Sequence, residues 1–343
     1  SLSVTMILAL AVTQADAMTS SVLGGLTTSA LNSLTAAELQ GLSSSQVGGL
    51  TSTQISNLNT TFFTNLTTTA LGALSTTQLQ GLTTAQINGM TATMTALNAL
   101  KVARLSTTQL ANIATTTLNS LSTTQVQSLS STQVAALTST EVNALSTSNI
   151  QAIASNAFTG MTTTTISQMT TTALNSLSTT QIGALTTTQV GALTTAQFGW
   201  MNATNLDAVA SAKLSTTQIG GLTTTVLNAM TTTQIAALTT TELASMTSTE
   251  LTGMSTTNLQ SITTKALVSL STTALSNGST ALSAMTTTQL AALNTTQVQG
   301  LTTTQLGAIT TTALTALSST RLSTTQLSGV STTALNSLST TQV

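Results

Sequence analysis

Apolar residues recur along this chain at alternating spacings of five and three. In one stretch they fall at Leu177, Ile182, Leu185, Val190, Leu193, Phe198 and Met201, so the unit is eight residues long. Counted from its leucine, position 1 is Leu or Met, position 2 Ser or Thr, and positions 3 and 4 mostly Thr. Position 5 is usually Gln, position 6 is Leu, Ile or Val, and positions 7 and 8 are small or amide residues. A continuous α-helix fits this badly, because eight residues overshoot two turns by about 80° and the apolar stripe spirals round the axis. A strand fits badly as well, since spacings of five and three break the alternation of faces at every unit. One short helix per octad fits. Ser178 then caps the helix, Gln181 reaches back to the cap's N–H, and Leu177 staples to Ile182. Small residues at positions 7 and 8 allow a tight turn or close packing before the next leucine. The predicted fold class is all-α, a solenoid of short capped helices. The alternative is a β-solenoid with two octads per coil, because Thr, Val and Ile favour strands.

The phase holds over residues 1–343, which makes one continuous tandem-repeat solenoid of 44 units, the last cut short. The opening SLSVTMILALAVTQADAM has the look of a secretory leader, yet Leu2, Leu10 and Met18 stand in octad phase, so it reads as repeats. From Leu26 octads run to Met90, where a seven-residue unit leads to Leu97. They resume through Leu105 to Val209, where the five-residue VASAK leads to Leu214. Gly278 fills a position 1, and a second seven-residue unit leads from it to Met285. The five-residue LSSTR starts at Leu317 and leads to Leu322. A longer period lies above the octad: Arg104, Lys213 and Arg321 each stand directly before LSTTQ, 109 and 108 residues apart. This period marks either a recurrent contact or a duplication without structural meaning. A single octad cannot fold alone, since two buried apolar side chains contribute on the order of 3–6 kcal/mol against roughly 12 kcal/mol for ordering eight residues. Stability must come from stacking. With two units per layer, layers about 9–10 Å apart would give a rod roughly 200 Å long. Ser1 at position 8 and Val343 at position 6 put both ends inside a repeat, which fits either a window cut from a longer protein or subunits meeting head to tail, a heterologous contact that yields a filament.

Composition removes most chemistry. Charged residues make up 3% and the net charge is −1, so there is no electrostatic footprint for nucleic acid or acidic lipid. His and Cys are absent, which leaves no nucleophile–base pair and no zinc site. We expect no catalytic, cofactor-binding or metal-binding residue, no enzyme activity and no cofactor. Glu38, Glu141, Glu242 and Glu250 replace Gln at position 5, where they complete the capping box. Lys101, Arg104, Lys213, Lys265 and Arg321 are expected to be solvated or paired with carboxylates. Nine of the eleven Met stand at position 1 and read as core. Trp200, at position 8 where small residues prevail, marks a local contact or fills a gap. No apolar run is long enough to span a membrane. A neutral, Thr-coated surface offers little repulsion between copies, so self-assembly is a physical expectation.

The phrase LTTTQVGALTTAQ resembles the octapeptide-repeat regions, of pattern L-[ST]-T-x-Q-[LIV]-x-x-L, in giant bacterial secreted or surface proteins. Some of these are adhesin-like or labelled for haem utilisation, although this chain has no His to serve haem. The resemblance implies an extracellular or cell-surface structural protein. The expected function is a filament or surface fibre built by head-to-tail and lateral self-association, so the chief partner is the chain itself. The candidate assembly residues are Arg104, Lys213, Arg321, Trp200, Ser1 and Val343. Two alternatives remain: the stalk of a large adhesin, with surface glycans bound by regions outside this chain, or a Thr-faced solenoid that binds ice or water.

Overall fold

The computed structural model describes residues 12–317, 319–332 and 335. Their regular structure consists of short α-helices and four 3₁₀ turns, with no strand among the described residues. The helical reading therefore holds over the β-solenoid, and the reason lies in the caps. In the regular octads the helix starts at position 3 from an extended residue at position 2, as at Ser43, Thr51 and Ser75. In the unit led by Leu177, the Gln181 backbone N–H donates to Ser178 Oγ at 3.2 Å and the Ser178 N–H donates to Gln181 Oε1 at 2.9 Å. Every helix from Ala36 onward whose third residue is Gln or Glu has this reciprocal box, including Ala36–Gly41 with Glu38 and Ser248–Gly253 with Glu250. Two of the helix's orphan donors are thereby satisfied within one turn, which a strand could not exploit.

The helices stop after four to six residues because position 1 leaves helical geometry. Leu193 is extended, and its N–H closes the helix on the Val190 carbonyl at 3.0 Å. The side chains at positions 1 and 6 then point to the same side. Leu177, Ile182, Leu185, Val190 and Leu193 are each at most 3% exposed. The position 1 methionines Met90, Met161, Met169, Met230 and Met246 are buried with them, as are Phe63, Phe158 and Phe198 at position 6.

The chain divides into two compact units, residues 1–177 and 178–343. In the first, helix Ser20–Gly24 packs on Ser44–Gly48, which packs on Thr68–Gly72, which packs on Met94–Ala99. In the second, Thr232–Ala236 packs on Thr256–Ser261, which packs on Ser279–Ala284 and that on Thr303–Ala308. In both, a helix meets the helix three places further on, so each unit is an α-solenoid whose coil holds a little over three octads. The expectation of two units per layer is wrong. Within each unit, side chains at positions 1 and 6 of the described octads project to a shared interior, and two five- or six-residue helices are too short to enclose it.

The structure also redraws the phase between Met90 and Leu105. Thr93 is the residue before helix Met94–Ala99, and Leu97 is the fourth residue of that helix, hence position 6 and not position 1. Met90 starts a ten-residue unit with its own 3₁₀ turn, Met90–Ala92, and the segment Leu100–Arg104 is a five-residue unit. Three five-residue units therefore exist: LKVAR, VASAK and LSSTR. Each ends in a 3₁₀ turn, at Val102–Arg104, Ser211–Lys213 and Ser319–Arg321. The seven-residue unit at Gly278 merges two positions in one residue. Its N–H donates to the Leu275 carbonyl at 2.9 Å as a position 1 does, and its carbonyl accepts from the Leu282 N–H at 3.0 Å as a position 2 does.

Candidate functional site

Where position 5 is Gln it is the polar centre of the octad, and it acts between coils as well as within one. Gln54 accepts the Thr51 N–H through Oε1 at 2.8 Å, while its Nε2 donates to the carbonyls of Leu23 at 3.1 Å and Leu26 at 2.8 Å. Gln78 does the same to Val47 and Leu50, and Gln86 to Ile55 and Leu58. In the second unit Gln218 serves Val190 and Leu193, and Gln305 serves Leu275. The two acceptors are the position 6 carbonyl of one octad and the position 1 carbonyl of the next, so each cap sits over a junction in the coil beneath. These amides are almost fully buried, Gln54 at 7% and Gln218 at 4% exposed. In such a setting an amide that fills both its acceptor and its donor capacity is strongly specified.

Glutamate can make only half of this pattern. Glu141 accepts the Thr138 N–H at 2.7 Å and the Thr138 hydroxyl at 2.9 Å, but a carboxylate offers no N–H to the coil beneath. The capping box alone is served at least as well by Glu, which also suits the helix dipole. The preponderance of Gln over the four Glu at position 5 was the signal, present in the sequence, that an amide donor is needed. Shorter amides fill in elsewhere: Asn258 Nδ2 donates to the carbonyls of Leu227 and Met230. Asn at position 7 clips the coil that follows. Asn143 donates to the Gln168 carbonyl at 2.9 Å and accepts the Thr170 N–H at 2.9 Å, and Asn228 treats Gly253 and Ser255 alike.

The five-residue units explain three of the five cations. Val102, the third residue of LKVAR, takes the place of a position 6: it is 1% exposed and its carbonyl accepts from Gln133 Nε2 at 3.1 Å. The unit is thus an octad without positions 3 to 5, and the donor glutamine goes with them. A cation at the end of the unit supplies the missing donor. Arg104 Nη1 donates to the Leu74 carbonyl at 3.1 Å. Lys213 Nζ donates to Leu185 at 2.6 Å and Gly183 at 3.2 Å, and Arg321 Nη1 to Leu293 at 2.5 Å and Ala291 at 2.8 Å. Leu74, Leu185 and Leu293 are all position 1 carbonyls. The expectation that these cations are solvated or carboxylate-paired is corrected: carbonyl oxygens of the preceding coil hold them. Lys101 and Lys265 are exposed.

Small residues at position 8 serve coil contact. Gly81 and Gly300 have φ of −75°, open to any residue, but a Cβ on Gly81 would meet the Ser52 carbonyl oxygen at 2.9 Å, and one on Gly300 the Thr272 Cβ at 3.0 Å. Trp200 is the exception. It ends helix Thr195–Trp200 with its side chain 47% exposed, the most exposed large apolar side chain among the described residues. Ser1 and Val343 lie outside the described residues.

Each of the first two short units also leaves a notch. One, of about 270 Å³, is lined by Leu100–Arg104 with Thr124, Gln125 and Ser128. The other, of about 280 Å³, is lined by Asp207–Ala212 with Thr233, Gln234 and Ala237. Among the described residues there is no group of His, Cys, Asp or Glu that could hold a metal ion, and no helix long and apolar enough to cross a membrane.

Comparison with curated proteins gives no match. Three segments, residues 102–139, 166–195 and 212–248, match the ALTTAQ repeat family. Its six-letter phrase stands here at Ala192–Gln197, from position 8 of one octad to position 5 of the next. That span holds the small residue of position 8, the leucine of position 1, the cap Thr194 and its box partner Gln197. The region is a tandem repeat whose phrase encodes the junction between coils.

Proposed function

We propose that the protein is an extracellular or cell-surface structural protein whose work is stacking, and that it builds a filament or surface fibre from copies of itself. The observation that carries this reading is the inter-coil ladder. Each coil offers amide N–H donors on one side, as at Gln54, Gln78 and Gln86, and their matching carbonyl acceptors on the other. What a coil recognises is therefore another coil of its own kind. The nearly uncharged surface adds no repulsion between copies. Reaction chemistry has no support in the residue types present, and the helical fold lacks the flat Thr-bearing β face on which an ice-binding reading rests.

Electron microscopy of the purified chain in negative stain tests the proposal. Uniform fibres with a regular axial repeat support it. Isolated thin particles at every concentration refute it and favour the stalk of a larger adhesin.

A further inference from the structure

We propose that Trp200 of one copy docks into the cationic notch at Leu100–Arg104 of another, which gives filament growth a plug and a socket. This rests on the self-assembly reading above and names the contact that carries it. Trp200 breaks the small-residue rule of position 8 and presents nearly half of its surface to solvent. Burying an exposed indole at an interface is among the largest single contributions a side chain makes to association.

The notch fits this side chain in volume and chemistry. Its space of about 270 Å³ is on the scale of one large side chain. Its exposed lining includes Ala103, whose methyl group suits a ring face. Lys101 and Arg104 line the same notch and offer cations to the indole π-face. Ser128, also in the lining, adds an exposed polar edge. The equivalent notch of the second unit keeps the same Thr and Gln, at Thr233 and Gln234, but differs in charge. It has Ala210 where the first has Lys101, Ala237 where the first has Ser128, and Asp207 on its rim. Only the first notch offers the chemistry an indole needs.

Charge agrees with this choice of partner. Asp207 lies on the helix that follows Trp200, and both Asp207 and Lys101 are exposed. No ion pair joins either of them to a described residue of its own chain. The helix next to the plug thus carries one carboxylate and the notch two cations, a pairing of opposite charge. Plug and socket are different residues of the chain, so the contact is heterologous and leaves each copy one free half for a further copy.

The chain has one Trp and no Tyr, so its fluorescence reports Trp200 alone. In sedimentation and light scattering across a concentration series, the wild-type chain should assemble with a blue shift of its Trp emission. Trp200→Ala should raise the concentration needed for assembly by about tenfold or more. Ala103→Trp, which fills the notch from its exposed wall, should do the same. A mixture of these two variants should stop at heterodimers, because each retains one half of the contact. Circular dichroism matching the wild type shows that both variants fold. If Trp200→Ala assembles like the wild type, the docking proposal is overturned and the filament reading stands. A wild-type chain that stays monomeric throughout overturns both.

Discussion

Replacing Gln218 by Glu separates the two roles of position 5, because it preserves one and removes the other. The Gln218 Oε1 accepts from the Ser215 N–H at 2.8 Å, and a glutamate oxygen can take that bond over unchanged. Nε2 donates to Val190 at 2.7 Å and Leu193 at 2.6 Å, and these bonds have no equivalent in a carboxylate. The site is 4% exposed, so water cannot restore them. Two net hydrogen bonds are lost at about 1 kcal/mol each, and the stranded acceptors add a desolvation cost, so a loss of about 2–4 kcal/mol is expected. Urea unfolding followed by far-UV circular dichroism measures the sum. Because repeat arrays can unfold in parts, amide exchange around Val190, Leu193 and Gln218 should show that the weakening is local. Gln218→Ala serves as the reference that loses both roles. If Gln218→Glu stays within about 0.5 kcal/mol of wild type while Gln218→Ala is destabilised, the amide acts only as a cap and the inter-coil ladder contributes nothing.

Three further outcomes follow from the same geometry. Glu141→Gln restores the amide its neighbours have and should raise the urea midpoint, by about 1–2 kcal/mol of stability for two added bonds. Lys213→Ala should cost about 1–2 kcal/mol by leaving the Leu185 carbonyl without its donor, whereas Lys265→Ala on the exposed surface should stay within about 0.5 kcal/mol in the same assay. Gly81→Val should destabilise by about 1–3 kcal/mol in thermal unfolding, because its Cβ would press on the Ser52 backbone although its φ suits any residue.

The local structure of this protein is legible in its sequence because its determinants lie within eight residues. Ser178, Gln181, Leu177 and Ile182 define cap, box and staple by spacing alone, and no distant contact is needed to choose a helix over a strand. The residues of the core follow from the same spacing. What escapes a one-dimensional reading is everything that joins octads about 28 residues apart. How many octads complete a coil depends on the angle between successive helices, which no single phrase contains. The amide Nε2 of Gln54 finds its acceptors only once the coil has closed, so the same residue looks like a cap on paper and like a tie in three dimensions. Leu97 shows the cost of the local view: counted by spacing it leads an octad, but stacking makes it the fourth residue of a helix and turns LKVAR into a short unit. Arg104, Lys213 and Arg321 were visible as a period of 108 and 109 residues. Their purpose, replacing the donor that each short unit deletes, is decided by the tertiary structure, because only stacked coils place a cation at the end of one unit beside a carbonyl of the coil before it.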